Sequence, residues 1–363
     1  MQKSRKKEYP SLKDLFKNDF QLGVALNLNQ ILGNEPESLI LLDKHFNSIT
    51  PENILKWDAV HPESGKYHFD DADRFVEFGE KHNMQIIGHT LVWNNQTPEW
   101  VFQDESGKLT DRDTLLNRMR DHIFTVVGRY KGRVNCWDVV NEAIDNNGNF
   151  EKNKWFEIVG EDYVQKAFEF ANEADPEAEL IYNDYSLHMP VKRDAVARLV
   201  RDLKAKGIKI DGIGEQGHYQ LDYPEAKELE ASIMAFSQLG IKILITELDM
   251  SVLPFPDQQR GADITLNYEF QKKFNPYPDA LPDPVQQLLA KRYVEFFEVF
   301  NKHRNMIGRV TIWGIHDGQS WCNNWPIKGR TNYPLLFDRR FHPKPAMDAI
   351  IKLTKKWSKR TYL

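Results

Sequence analysis

Short apolar runs and longer segments of helical period alternate along the whole chain. The runs at 21–26, 46–50, 85–91, 134–140, 179–183, 213–216, 241–246 and 309–313 are rich in β-branched residues and too short to be helices, which predicts strands. Between them apolar residues recur three and four positions apart. Phe75 and Phe78 mark a helix over 70–82, and Leu115, Met119, Ile123, Val126 and Tyr130 mark one over 110–130 that stops before Gly132. The same period carries helices around 37–44, through Val164, Phe168 and Ala171, through Val196, Val200 and Leu203, through Leu229, Ile233 and Phe236, through Leu289, Tyr293, Phe296 and Phe300, and over 344–357.

Eight strands alternating with helices, with no linker and no shift in composition, predict one α/β domain. The expected architecture is a single (β/α)8 barrel, its core over roughly residues 12–352 and an extension over 1–11. A doubly wound open sheet would need fewer strands and a switch point. The Pro-rich connection over 252–284 is long for a compact barrel and leaves the seventh strand, so it is expected to be functional.

Composition narrows the class. With 363 residues, 41% hydrophobic and 28% charged, the chain has the make-up of a globular protein, and a monomer is expected. Its net charge of −5 comes from interspersed acids and bases without a basic stripe, so neither nucleic acid nor a polyanion is an expected partner. No segment has a membrane span's composition, and the basic start Met1 to Lys7 runs into Glu8-Tyr-Pro instead of an apolar stretch, so no targeting segment is read. The compartment stays open, a secreted or periplasmic protein without its leader being favoured over a cytoplasmic one. Cys136 and Cys322 are expected to be unpaired thiols.

In such a barrel, chemistry collects where strands end. Reading those ends gives Asn27; Glu52, Asn53 and Lys56; His89 and Trp93; Asn141 and Glu142; Asn183 and Tyr185; Gln216 and His218; Glu247 and Asp249; and Trp313 with Trp321. A lone glutamate at a strand end is as commonly an acid at the next helix start, and a lone histidine is more often a satisfied rim residue. The ring as a whole reads differently. It lacks H-E-x-x-H or H-x-H spacing, so no metal is expected, and Gly212-Ile-Gly-Glu-Gln-Gly217 precedes no helix, so no dinucleotide or other cofactor is expected. The loops after the last two strands lack the glycines of a phosphate cradle. Indoles, amides, imidazoles and two glutamates fit a sugar, with the glutamates as a glycosidase pair. Trp93, Trp100, Trp137, Trp313, Trp321 and Trp325 are expected in or just after strands, toward loops, and Trp57, Trp155 and Trp357 in packing roles.

These segments carry a family resemblance. Gly-Val-Ala25, Thr-Pro-Glu52-Asn53-Ile-Leu-Lys56-Trp, His89-Thr-Leu-Val-Trp93, Gln96-Thr-Pro, Trp-Asp-Val-Val-Asn141-Glu142, Tyr-Asn183-Asp-Tyr185, Gly-Ile-Gly-Glu-Gln216-Gly-His218, Ile-Thr-Glu247-Leu-Asp249 and Trp313-Gly with Trp321 resemble, in order, the glycoside hydrolase family 10 endo-β-1,4-xylanases. The resemblance implies a retaining hydrolase of xylan or xylo-oligosaccharides, with Glu142 as acid/base and Glu247 as nucleophile. It implies Glu52, Asn53, Lys56 and Gln96 on the glycone side, and His89, Trp93, Asn141, Gln216, His218, Trp313 and Trp321 around the reacting sugar. Asn183 and Tyr185 would lie toward the aglycone, a side the 252–284 connection is expected to wall. A retaining β-1,4-glucanase on the same fold is the alternative, disfavoured because Trp313 and Trp321 should crowd the hydroxymethyl group that glucose has and xylose lacks. The chain departs from the family at Asn94, where Val-Trp usually continues with His. A retaining pair should stand about 5 to 5.5 Å apart, with Glu142 kept protonated, Glu247 charged, and His218 held by Asp249.

Overall fold

Strands buried on both faces carry mostly apolar runs, and strands joined through helices can pair in parallel. Both conditions hold in the computed structural model, which describes residues 8–255 and 273–360. The strands are β1 (Gln21–Leu26), β2 (Ser48–Pro51), β3 (Gln85–Val92), β4 (Cys136–Asn141), β5 (Glu179–Asp184), β6 (Gly212–Glu215), the short β7 (His218–Gln220), β8 (Lys242–Ser251) and β9 (Ile307–Ile312). Each pairs in parallel with the next through β6, β6 pairs with β8, β8 with β9, and β9 returns to β1. That closes an eight-stranded barrel, with β7 added beside the far end of β8.

The helices outside the barrel include Pro36–His45, Asp70–Lys81, Arg112–Arg129, Tyr163–Ala174, Pro190–Ala205, Ala226–Ser237, Asp283–Lys302 and Pro345–Arg360. Their ends follow from local chemistry. Asp111 accepts a hydrogen bond from the Thr114 amide and so opens the third of these, and Gly132, at φ 73°, turns the chain away after it. Two expected strand starts move inward because helix ends claim the first residues: the Phe46 amide bonds Leu42 O, and the Val134 amide bonds Tyr130 O. β8 runs five residues beyond its expected end, since Leu248 and Met250 remain buried past the glutamate. Gly212 to Glu215 form β6, with no helix following, as expected for that glycine pattern.

Inside the barrel, the side-chain period of two decides what reaches the floor of the mouth. Ile87, Cys136, Ile181 and Leu244 form a small apolar cluster of their own. Two residues farther along the same strands stand His89, Asp138, Asn183 and Thr246, all buried, so the interior turns from apolar to polar toward the strands' C-terminal ends. The large core lies between strands and helices. Trp57 and Trp155 are fully buried there, as expected of packing residues. Trp137 is a correction: instead of facing a loop it is fully buried, lying over Gly88, where a Cβ would stand 2.1 Å from the ring.

Both cysteines are buried and free. Among the described residues no helix is long and apolar enough to cross a membrane, and no three His, Cys, Asp or Glu side chains gather as a metal site. Of the 252–284 connection, 256–272 lie outside the described residues, and with them most of the expected wall. Its two ends are anchored: the Val252 amide bonds Asn332 Oδ1, and Tyr277 O accepts the Tyr333 hydroxyl.

Candidate active site

Irregular pairing re-aims side chains, and here it occurs where the candidate residues sit. The β3–β4 register slips between His89 and Val92, the β4–β5 register between Asp138 and Val140, and the β8–β9 register between Ile245 and Leu248. Glu142 follows β4 with φ 61°, a left-handed conformation that costs a non-glycine residue about 1 kcal/mol or more. Two backbone bonds hold the turn: the Glu142 amide to Asn183 O at 2.9 Å, and the Ala143 amide to the Tyr182 hydroxyl at 3.0 Å.

Glu142 and Glu247 are joined by a relay of amides. Gln216 Nε2 donates to Glu142 Oε1 at 2.9 Å and to Asn141 Oδ1 at 3.2 Å. Asn183 Nδ2 donates to Asn141 Oδ1 at 3.0 Å and to Glu247 Oε1 at 2.8 Å, while its own Oδ1 accepts from the Thr246 hydroxyl. Trp93 Nε1 donates to Glu142 Oε2 at 2.9 Å. On the far side, His218 Nε2 lies 3.1 Å from Glu247 Oε2 and its Nδ1 3.1 Å from Asp249 Oδ2, which also accepts from Trp321 Nε1 at 2.7 Å. His89 pairs with buried Asp138 at 2.8 Å.

Electrostatics separate the two carboxyls. Burial raises the Glu142 pKa, and the Asp184 and Glu247 charges add to that against the lowering bonds from Gln216 and Trp93. Burial would raise Glu247 as well, but the His218 bond, the His89 and His218 charges and the Asn183 amide outweigh it and hold Glu247 below the ordinary value. His218 completes the pattern. Burial disfavours its cation, yet the Asp249 charge and bond and then Glu247 raise it to about 10, so it is an imidazolium at neutral pH.

The remaining sequence-named residues flank this pair. Lys56 Nζ donates to Asn53 Oδ1 at 3.0 Å and Gln96 Oε1 at 2.8 Å, and stands 4.8 Å from the Trp93 ring centre. Burial lowers the Lys56 pKa and raises that of Glu52, while the charges of Glu247, Glu52 and Glu142 all favour the Lys56 cation. Trp313 is edge-on to both His89 and His218, and Trp321 lies 4.7 Å from His218. Tyr185 is half-buried with Lys192 Nζ 3.5 Å from its ring centre. Asn94 is exposed. Sequence reasoning missed Asp138, although it stands three residues before Asn141 in the same strand and faces the barrel interior. It also missed the fully buried pair Asp184–Lys192, which no local pattern marks. Trp325, placed correctly on a loop, stacks on Trp321 at 4.8 Å and remains exposed.

With this geometry in view, comparison with known proteins gives a consistent picture. The family model described as glycosyl hydrolase family 10 matches residues 11–353. Endo-1,4-beta-xylanase A of Xylanibacter ruminicola is 45% identical over 344 residues, covering 95% of this chain and 93% of that protein. Endo-1,4-beta-xylanase of Geobacillus stearothermophilus is 41% identical over 351 residues, covering 95% and 98%. A solved structure of a GH10 endoxylanase retrieved from a sugarcane soil metagenome superposes with a TM-score of 0.89 at 43% identity, covering 95% of this chain and 99% of that one.

Proposed function

From the premise that the chain belongs to glycosyl hydrolase family 10, we propose that it hydrolyses internal β-1,4-xylosidic bonds of xylan with retention of configuration, through a covalent glycosyl-enzyme on Glu247. Glu142 is the acid/base. In the first step a Glu247 oxygen attacks the anomeric carbon while Glu142 gives its proton to the departing glycosidic oxygen. In the second, water attacks the same carbon, Glu142 takes back a proton, and the Glu247 ester bond breaks. Two acids of one type must therefore differ in charge at one pH.

The observation that carries this reading is the opposite displacement of the two carboxyls, Glu142 upward and Glu247 downward, across a single amide relay. A protonated Glu142 suits the acid, and an anion backed by the His218 imidazolium suits the nucleophile. Lys56 with Asn53, Gln96 and Glu52 offers donors and acceptors for sugar hydroxyls on one side of the pair. Trp313, only 6% exposed and wedged edge-on against two imidazoles, supports xylose over glucose, because it has little room to retreat from a hydroxymethyl group.

Azide rescue tests the assignment. Glu247→Ala should be nearly inactive on every substrate and should yield, with azide, a glycosyl azide of inverted configuration. Glu142→Ala should still react with an activated aryl xylobioside and yield a retained azide. Exchange of the two products between the variants would reverse the roles, and an inverted sugar from the unaltered enzyme would refute retention.

A further inference from the structure

Behind Glu142 lies a column of buried polar groups whose bonds, as distinct from the Asp184 charge that helps raise Glu142, have no role in the steps just described. The Ala143 amide donates to the Tyr182 hydroxyl at 3.0 Å, and that hydroxyl donates to Asp184 Oδ2 at 2.5 Å. Asp184 Oδ1 accepts from the Tyr185 amide at 2.8 Å and pairs with Lys192 Nζ at 2.7 Å. Tyr182, Asp184 and Lys192 are all fully buried.

The direction of each bond follows from what each group can do. A backbone N–H only donates, so the Tyr182 oxygen is the acceptor from Ala143, and its own proton has Asp184 as its recipient. Both Asp184 oxygens then face donors only: a hydroxyl, an amide and an amine. Burial pushes the Asp184 carboxyl upward, and the Lys192 charge and bond, the Tyr182 hydroxyl and the Tyr185 amide act against that by favouring its charged form. The Lys192 ammonium also lies 3.5 Å from the centre of the Tyr185 ring, within cation–π range.

One buried carboxylate thus holds two parts of the site. Through Tyr182 it bonds the residue directly after Glu142, on the turn whose left-handed φ has to be maintained against its own preference. Through Lys192 and the Tyr185 amide it fixes the plane and root of the Tyr185 ring. We propose that Tyr182, Asp184 and Lys192 are positioning residues that aim the Glu142 carboxyl at the departing oxygen and keep it in register with Tyr185. This rests on the assignment of Glu142 as acid/base. All three side chains are fully buried, and none of them bonds Glu247, whose own side-chain partners are Asn183 and His218.

A device that aims only the acid has a distinct kinetic signature. A poor leaving group needs its proton and therefore a well-aimed acid, whereas an activated aryl leaving group departs without one. Tyr182→Phe deletes a single oxygen and should lower kcat/KM on xylopentaose roughly tenfold, while changing it less than about twofold on 2,4-dinitrophenyl xylobioside. Asp184→Asn should give the same split, but it also removes a charge that raises Glu142, so Tyr182→Phe, which keeps that charge, decides. An equal loss on both substrates, or no loss on either, would overturn the inference. Glu142→Ala run alongside separates the two levels: if it lacks the leaving-group split, the acid/base assignment itself fails, whereas a split in Glu142→Ala without one in Tyr182→Phe removes only the positioning role.

Discussion

His218 in the cleft and the pair His61 and His122, the latter on the helix Arg112–Arg129, all lie against aromatic rings, yet they differ in charge. His122 lies flat on Trp57 at 3.6 Å, His61 on Tyr67 at 3.8 Å, and the two Nδ1 atoms face each other at 3.3 Å. Among the described residues no carboxylate bonds them. Burial therefore acts almost unopposed, lowering His61 to about 4 and His122 well below its ordinary value. A doubly protonated pair would also set N–H against N–H. His218 pays the same burial but stands between Asp249 and Glu247, which reverse the outcome. Enclosure alone makes a histidine a neutral packing ring; two carboxylates turn the same ring into a fixed positive charge for the nucleophile.

The largest expected effect comes from removing what distinguishes the two sites. Asp249→Asn takes away the charge that keeps His218 protonated and leaves a side chain of equal size to accept from Trp321. We expect kcat to fall about 100-fold or more, and the acidic limb of the pH profile to move upward as Glu247 loses its cationic partner. Unchanged kcat with an unchanged acidic limb would mean that His218 does not act through its charge.

The second expectation concerns stability and has the opposite sign at the two sites. His61 has a folded pKa below its unfolded one, so its contribution is present above about pH 6.5 and is lost as pH falls toward about 4. At pH 5 the loss for His61 alone is about 2 kcal/mol, and His122 adds to it. His218 has a raised folded pKa, so its contribution is present below about pH 6.5 and is lost as pH rises through about 10. His45 and His188, also lowered to about 4 mainly by burial, share the acid slope. Urea unfolding at pH 7.5 and pH 5 should show a smaller acid loss in a His61→Phe/His122→Phe double variant than in the unaltered protein. Equal losses would contradict the burial argument.

The two sites also differ in how far the sequence foretold them. Glu142, Glu247, His218 and Asp249 stand at strand ends in a repeating strand–helix order, and the barrel brings strand ends together by its topology alone, so their neighbourhood was legible. The same order gave the eight strands, with edges displaced where helix ends took Phe46 and Val134. His61 and His122 lie 61 positions apart on different helices or their ends, and nothing short of packing tells that their rings meet. The Asp184–Lys192 pair was hidden for the same reason, since a lysine in a helix normally reads as a solvent-facing residue. The cause of the Glu142 shift was not legible: burial is the largest part of it, and the Asp184 charge adds to that of Glu247. Trp137 misled because an indole in a strand can face either the mouth or the helices, and the room left by Gly88 decides.

The central claim is that this cleft drives two glutamates apart, Glu142 upward toward its protonated form and Glu247 downward toward its charged one. Carbon-13 NMR titration of side-chain-labelled enzyme, with Glu142→Gln and Glu247→Gln used for assignment, reads both carboxyls directly. The account predicts that Glu247 titrates below the ordinary glutamate range and Glu142 above it, with Glu142 moving down once the Glu247 charge is removed. Two carboxyls titrating together at the ordinary value, or Glu142 below Glu247, would contradict it.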